Sequence, residues 1–305
     1  MQYKEWLKLW LENYVKPMRK IRTFDLYEQT VEKKIVPHLG DYDMDALTPI
    51  GVQHCITVML ERGNSRTGKG LSSNSVNGMI SVIQSSLQTA YRLGYVKAYI
   101  GDQLRRPRSH GKKIACFTAA EQKKLEEAVL TGKKKKLLGV VICLYTGLRI
   151  GELLALTWSD VDFETGEIKV SKSCYCGHHG RVVDSAKTEH SKREVPLCKP
   201  IIRILRLMKK ESDCEYVISS NGKPVATRSY QKSFELLLKN LHIPHRGFHA
   251  LRHTFATRAV EYGMDVKTLS EIMGHKNSTI TLNCYAHSLA EHKKEMINKL
   301  GRNLE

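Results

Sequence analysis

The sequence predicts a mainly α protein with a small antiparallel β-sheet, an α+β chain in two domains joined by a basic linker. Three observations carry this. Apolar residues recur at helical spacing through most of the 305 residues. Short strand-like runs cluster once, between residues 166 and 197. The stretch DQLRRPRSHGKKIA, rich in arginine and lysine and broken by Pro107 and Gly111, interrupts the helical pattern just after residue 100. The expected boundaries are 1–100, 101–116 and 117–305.

In the first domain, Trp6, Leu7, Trp10, Leu11 and Tyr14 share one helical stripe, and Pro17 ends that helix. A second segment runs from Thr23 through Leu26, Tyr27, Val31 and Ile35 to Gly40, a C-cap. A third spans Ile50 to Arg62. After a polar loop, a fourth starts near Ser73 and carries Val76, Met79, Ile80, Ile83, Leu87 and Ala90 towards Leu93. These stripes form a four-helix core. The charged faces, with Lys16, Arg19, Lys20, Arg22, Arg66, Lys69 and Arg92, are candidate phosphate contacts. In the linker, Arg105, Arg106, Arg108, Lys112 and Lys113 are placed to follow a nucleic-acid backbone.

The second domain opens on a capping box, Thr118 to Glu121. The apolar helix LLGVVICLYTG is broken by Gly147. Arg149 heads the next helix, flanked by core leucines, with Glu152 three residues on to orient its guanidinium. Residues 166–170, 180–183 and 191–197 read as strands, and Lys187 falls in a hairpin turn between the last two. A basic amphipathic helix over 199–212, a short strand near 216–218, a turn at Asn221-Gly222 and a helix from Ser229 to Leu241 follow. Tyr145 and Tyr262 are expected in the core.

The composition narrows the function. A hydrophobic fraction of 41% suits a folded chain. The formal charge of +18 speaks against most small-molecule enzymes and for a polyanion, nucleic acid before an anionic membrane. No long apolar run, signal-peptide pattern or lipidation motif supports the membrane, so the expected location is cytoplasmic and nucleoid-associated. The eight cysteines are mostly scattered, as reduced thiols are. Cys174-Tyr175-Cys176-Gly177-His178-His179 looks like half a zinc site, but its spacing fits poorly and it reads as a solvated hairpin tip, so no metal site is expected.

His249 and Arg252 lie three residues apart on one helix face. Gly274-His275 follows after a second helical segment, then Tyr285. Cationic donors, imidazoles and a phenol can together bind a phosphodiester and supply a nucleophile. The segments TGLRIGELLALTW, AKTEHSKREVPL, HALRHTFAT and IMGHKNSTITLNCYAH occur in this order. Together they resemble the tyrosine recombinases, or phage-integrase family, most closely integrases of conjugative transposons.

The resemblance implies a helical core-binding domain and a catalytic domain forming a C-shaped clamp on double-stranded DNA core sites. It implies a homotetramer, with an excisionase or DNA-bending protein as possible accessory and the terminal helix over 289–300 docking in trans. Tyr285 would attack a phosphate, Arg149 and Arg252 would clamp its oxygens, and His275 would donate to it. Lys187 would be the general acid. His249 would be either the general base or a phosphate ligand. No metal, ATP or other cofactor is implied. Many relatives carry a further N-terminal domain for accessory arm sites, whereas this sequence opens directly on the core-binding helix. A resolvase of the Xer kind, a type IB topoisomerase-like strand passer and a non-catalytic DNA-binding regulator are the competing functions.

Overall fold

The computed structural model describes residues 1–65, 67–109, 115–177, 180–185 and 192–274. The chain divides into two compact units, Met1–Lys112 and Lys113–Glu305.

In the first unit, α1 (Tyr3–Trp10) widens into a π-turn over Leu11–Val15, where the Lys16 N–H donates to the Leu11 carbonyl at 2.9 Å. Helix α2 (Ile21–Thr30) widens likewise over Val31–Ile35 before α3 (Val36–Leu39). Each wide turn stands two residues before a proline, Pro17 and Pro37. A proline ring crowds the carbonyl four residues back, and a widened turn relieves that contact. The second helical segment therefore runs through Pro37. Gly40 caps it with a right-handed φ of −64°, so the left-handed freedom of glycine is not what ends the helix.

Helix α4 (Pro49–Arg62) starts at Thr48, whose side chain accepts from the Gly51 N–H. Helix α5 (Ser73–Arg92) starts at Ser72, which accepts from the Ser75 N–H, and buries every apolar residue expected of it from Val76 to Ala90. The Tyr3 hydroxyl meets Ser86 Oγ at 2.7 Å and Trp6 Nε1 donates to the Ser86 carbonyl at 3.2 Å, tying α1 to α5 inside the core. Tyr14 and Leu26, expected in that core, are 44% and 59% exposed. Phe24, Tyr27, Val31 and Ile35 form the inward side of α2 and its continuation instead.

In the second unit, Thr118 and Glu121 close the expected capping box on α6 (Ala119–Leu130). Helix α7 (Leu138–Thr146) is buried along most of its length and packs against α11 (His249–Glu261). Gly147 separates α7 from α8 (Ile150–Ala155).

The single expected sheet is three separate ones among the described residues. Strands β1 (Val161–Asp162), β2 (Glu167–Val170) and β5 (Arg193–Pro196) form one, antiparallel throughout. Strands β3 (Lys172–Gly177) and β4 (Gly180–Ser185) form a hairpin. Cys174 is thus a buried strand residue, not part of a solvated tip; its Sγ lies 4.0 Å from Thr227 Oγ1. Among the described residues, no group of three His, Cys, Asp or Glu could hold a metal.

Helix α9 (Lys199–Lys210) is the expected basic amphipathic helix. It is followed by β6 (Ser219–Ser220) and β7 (Lys223–Pro224), whose turn holds Asn221 and Gly222 at φ 52° and 68°, the conformation a two-residue hairpin demands. Helix α10 (Thr227–Asn240), α11 and α12 (Val266–Met273) complete the described fold. Tyr145 and Tyr262 are 42% and 89% exposed, against the core placement expected. None of the described helices is long and apolar enough to cross a membrane.

The Tyr3–Ser86 pair gives an asymmetric test. In Tyr3→Phe, Ser86 Oγ keeps its donation to the Ile83 carbonyl at 2.9 Å, so the cost is expected at about 1 kcal/mol. In Ser86→Ala the buried Tyr3 hydroxyl is stranded, and the cost rises to about 1–3 kcal/mol. Urea denaturation of the two variants checks the order.

Candidate active site

The break between α7 and α8 builds the first wall of the site. Gly147 sits at φ 65°, and a Cβ there would come within 2.5 Å of the Phe255 ring. Both facts require glycine. Two residues on, Arg149 caps α8 in extended conformation. Its N–H donates to Glu152 Oε2 at 2.9 Å and its Nη1 to Oε1 at 2.7 Å. The three-residue spacing expected to orient this guanidinium does so.

Glu152 is buried and holds a second arginine. From β5, Arg193 Nη1 and Nη2 donate to its two oxygens at 3.1 and 2.8 Å. Burial alone would raise the Glu152 pKa. The hydrogen bonds and charge of Arg193, with the charge of Arg149, outweigh it and hold the carboxyl down to about 2.

Helix α11 supplies Arg252, 1% exposed. Its Nη1 donates to the Gly147 carbonyl at 2.7 Å and its Nη2 to the Met273 carbonyl at 2.6 Å. Helix α12 ends at Gly274, left-handed at φ 62°. Its last carbonyls have no partners within the helix, as at any C-terminus. Here three successive carbonyls each accept from a different arginine. Arg193 Nε donates to Ile272 at 2.6 Å, Arg252 to Met273, and Arg149 Nη2 to Gly274 at 3.3 Å. Three cations at the negative end of a helix also complement its dipole.

His249 opens α11 on the same face as Arg252. Its ring meets that of His253 edge-on, centroids 4.8 Å apart. Partial burial, then His253, Arg252 and Arg149, pull its pKa down to about 4, although the residue as a whole is exposed. The imidazole is therefore neutral at physiological pH and free to accept a proton. His253 is lowered in the same direction by burial and by Arg252, and its buried Nε2 has no hydrogen-bond partner among the described residues.

Arg149, His249 and Arg252 thus come together from two elements about 100 positions apart. Lys187, His275 and Tyr285 lie outside the described residues, as do Arg66, Lys112 and Lys113. Strands β4 and β5, on either side of Lys187, pair in different sheets and not with each other among the described residues, against the pairing expected of them. Lys69, Arg105, Arg106 and Arg108 are exposed on the first unit. The described start of the basic segment, residues 104–106, packs on the first unit. Leu104 is buried, the Arg105 N–H donates to Gln53 Oε1 at 2.9 Å, and Arg106 donates to the Asn77 carbonyl, Ser81 and Gln84. Arg193 and His253 were not among the residues expected to serve the site. The signal for Arg193 was its alternation with Val195, which puts both on the inward face of a strand.

Residues 116–292 match the phage integrase family, and residues 2–60 match the phage integrase N-terminal SAM-like domain. The chain belongs to the phage integrase family. It is a tyrosine recombinase. It is 28% identical to a XerC-like tyrosine recombinase of Caldanaerobacter subterraneus subsp. tengcongensis, over 96% of this chain and 81% of that protein. It is 26% identical to the ICEBs1 integrase of Bacillus subtilis, over 90% of this chain and 77% of that one. The Tn1549 transposon integrase in complex with transposon right end DNA shares its fold at a TM-score of 0.81 and 24% identity, covering 99% of this chain and 100% of that chain.

Two measurements test the electrostatics of the recombinase. Because the folded-state pKa of Glu152 is depressed, its stabilisation is complete above the ordinary value of 4.5 and is lost as pH falls towards about 2. Glu152→Gln is expected to lose about 3 kcal/mol at neutral pH and to show a shallower stability decline between those values, read by urea denaturation. For His249, an NMR titration of the free protein is expected to place protonation near 4 rather than the ordinary 6.5, a midpoint above 6 being the contrary result.

Proposed function

We propose that this recombinase cuts and rejoins double-stranded DNA at recombination core sites, integrating and excising a mobile element of the conjugative-transposon kind. The observation that carries this is the joint fixing of Arg149 and Arg252 on the carbonyl end of α12, with His249 one helical turn from Arg252, in a chain that continues directly into His275. In this reading Tyr285 Oη attacks the scissile phosphorus and gives up its proton. The bond to the 5′-oxygen breaks, and Lys187 protonates that oxygen as it leaves. The 3′-phosphotyrosyl bond keeps the phosphodiester energy, so a 5′-hydroxyl of the partner strand rejoins without ATP and produces a Holliday junction.

A phenol with an ordinary pKa of about 10 needs assistance. His249, neutral in the free protein, suits the base; it also lies close enough to Arg252 to serve as a phosphate ligand. The arginines are permanently charged forks suited to the non-bridging oxygens, where charge accumulates in the transition state. His275 adds a donor. The charge that many phosphoryl-transfer enzymes take from metal ions comes here from guanidinium groups.

Residues 1–100 serve as a helical core-binding domain, residues 101–116 as the basic connection and residues 117–305 as the catalytic domain. Arg66, Lys69, Arg105, Arg108, Lys112 and Lys113 contact phosphates. Arg106 contributes less, since its guanidinium already has three partners in its own unit. A lambda integrase tetramer bound to a Holliday junction has this fold at a TM-score of 0.73 and 20% identity, over 92% of this chain and 79% of that chain. A homotetramer on two duplexes, with residues 289–300 docking in trans and an excisionase or DNA-bending protein setting direction, suits this chain. Such work belongs on the bacterial nucleoid in the cytoplasm.

A nicked suicide duplex tests the reaction. A covalent protein–DNA adduct is expected in excess EDTA and is expected to vanish in Tyr285→Phe. Strict dependence on magnesium, or an adduct that survives the substitution, would refute this chemistry.

A further inference from the structure

We propose that Arg193 is a positioning residue for strand cleavage, joining the carboxylate that orients Arg149 to the end of α12 from which the chain enters His275. The proposal rests on the strand-cleavage reading above and adds a residue that the reading does not use.

The geometry is specific to arginine. One face of the guanidinium fork meets both Glu152 oxygens, at 3.1 and 2.8 Å, while Nε points the other way to the Ile272 carbonyl at 2.6 Å. A lysine ammonium has no planar fork and cannot span the carboxylate and the carbonyl at once. The Arg193 side chain is 6% exposed, so it is walled off from solvent and acts through its neighbours rather than on a phosphate. Glu152 in turn holds both the backbone and the guanidinium of Arg149. Removing Arg193 takes the larger support from a buried carboxylate and leaves a helix-terminal carbonyl unpaired.

Gly274 gives independent support. A Cβ there would lie 3.1 Å from Arg193 Cδ and 3.2 Å from its Nη1, on a residue already at φ 62°. The turn that leads into His275 is therefore packed onto the Arg193 side chain. The groups that face Glu152 are Arg149 on α8, Arg193 on β5, the buried Cys143 thiol on α7 and His249 on α11. Of these, Arg193 provides the strongest hold on the ionised form.

The test is single-turnover adduct formation on a nicked duplex bearing the core site, with DNA affinity and the pH profile measured alongside. Wild type, Arg193→Lys, Arg193→Met, Gly274→Ala and Tyr285→Phe are compared. The expected result is an adduct rate lowered roughly 10–100-fold in both Arg193 variants and in Gly274→Ala, least in Arg193→Lys, with DNA affinity within about twofold of wild type. In Arg193→Met the acid limb of the rate profile moves to higher pH, because Glu152 then protonates more readily and releases Arg149. Should Arg193→Met fail to fold, Arg193→Lys keeps the charge and much of the stem and carries the same comparison. Cleavage at the wild-type rate in Arg193→Lys overturns the proposal. So does a rate loss matched by an equal loss of DNA affinity with the acid limb unmoved, which marks a merely structural residue. An adduct that persists in Tyr285→Phe refutes the assigned nucleophile and leaves the Arg193 comparison in force.

Discussion

The end of α12 is the constraint on which the described site depends. A helix C-terminus presents carbonyls that its own backbone cannot satisfy. In most helices water or a glycine-led turn takes them up. Here three arginines from α8, β5 and α11 do so, each on its own carbonyl. The cost of burying guanidinium charge and the cost of burying helix-end carbonyls thus offset each other in one place. Three elements distant in sequence are brought to a common point, and side chains as long as arginine become rigid. Rigidity is what an electrostatic catalyst needs, because donors already in position undergo no reorganisation when charge develops.

The same arrangement contributes to the protonation state of the imidazole. Burial lowers the His249 pKa most, and His253, Arg252 and Arg149 add to it in that order. A cationic histidine would strengthen the pull on phosphate but could not accept a proton. The arginines make the third cation unnecessary and keep the ring available. A bound phosphate would act in the opposite sense, adding negative charge beside the ring and raising its pKa. The imidazole is thereby disposed to take up a proton when a phosphodiester is in place.

How much of this was legible in the sequence divides along the range of the interactions. Local patterns were plain: the Val76–Ala90 stripe of α5, the Thr118 capping box, the glycine break at Gly147, and the pairings of Arg149 with Glu152 and His249 with Arg252 at one helical turn. Features set by distant partners were not. Strand β1 has two residues and β3 alternates weakly, so neither announces itself, and the pairing of β5 with β2, on the far side of the β3–β4 hairpin, is a tertiary choice. Arg193 lay within a basic run, Ser-Lys-Arg-Glu, and its burial exists because Glu152 waits 41 positions earlier. Tyr145 and Tyr262 show the converse. Their bulk suggested core, but each lies near a helix end, where the inward positions are already filled. The segment expected to run from Thr23 to Gly40 does so across Pro37, because a widened turn lets the helix continue where proline usually breaks it.

The three arginines differ in what remains of their charge, and the difference orders their uses. Arg193 forks onto a full carboxylate, which neutralises it; such a pair fixes geometry and offers little to an incoming anion. The hydrogen bonds described for Arg252 go to two carbonyls, whose dipoles orient the guanidinium. Arg149 stands between, giving Nη1 to the shared carboxylate and Nη2 to a carbonyl, with its side chain 37% exposed. One carboxylate shared between two forks cancels at most one charge. The remainder is held next to the neutral ring of His249, at a helix end that cannot shift without breaking three hydrogen bonds. In the proposed reading a phosphodiester, with its charge and fork-accepting oxygens, is the ligand for this cluster, and it is the placement of carbonyls on α12, rather than the count of basic residues, that holds the guanidinium groups ready for it.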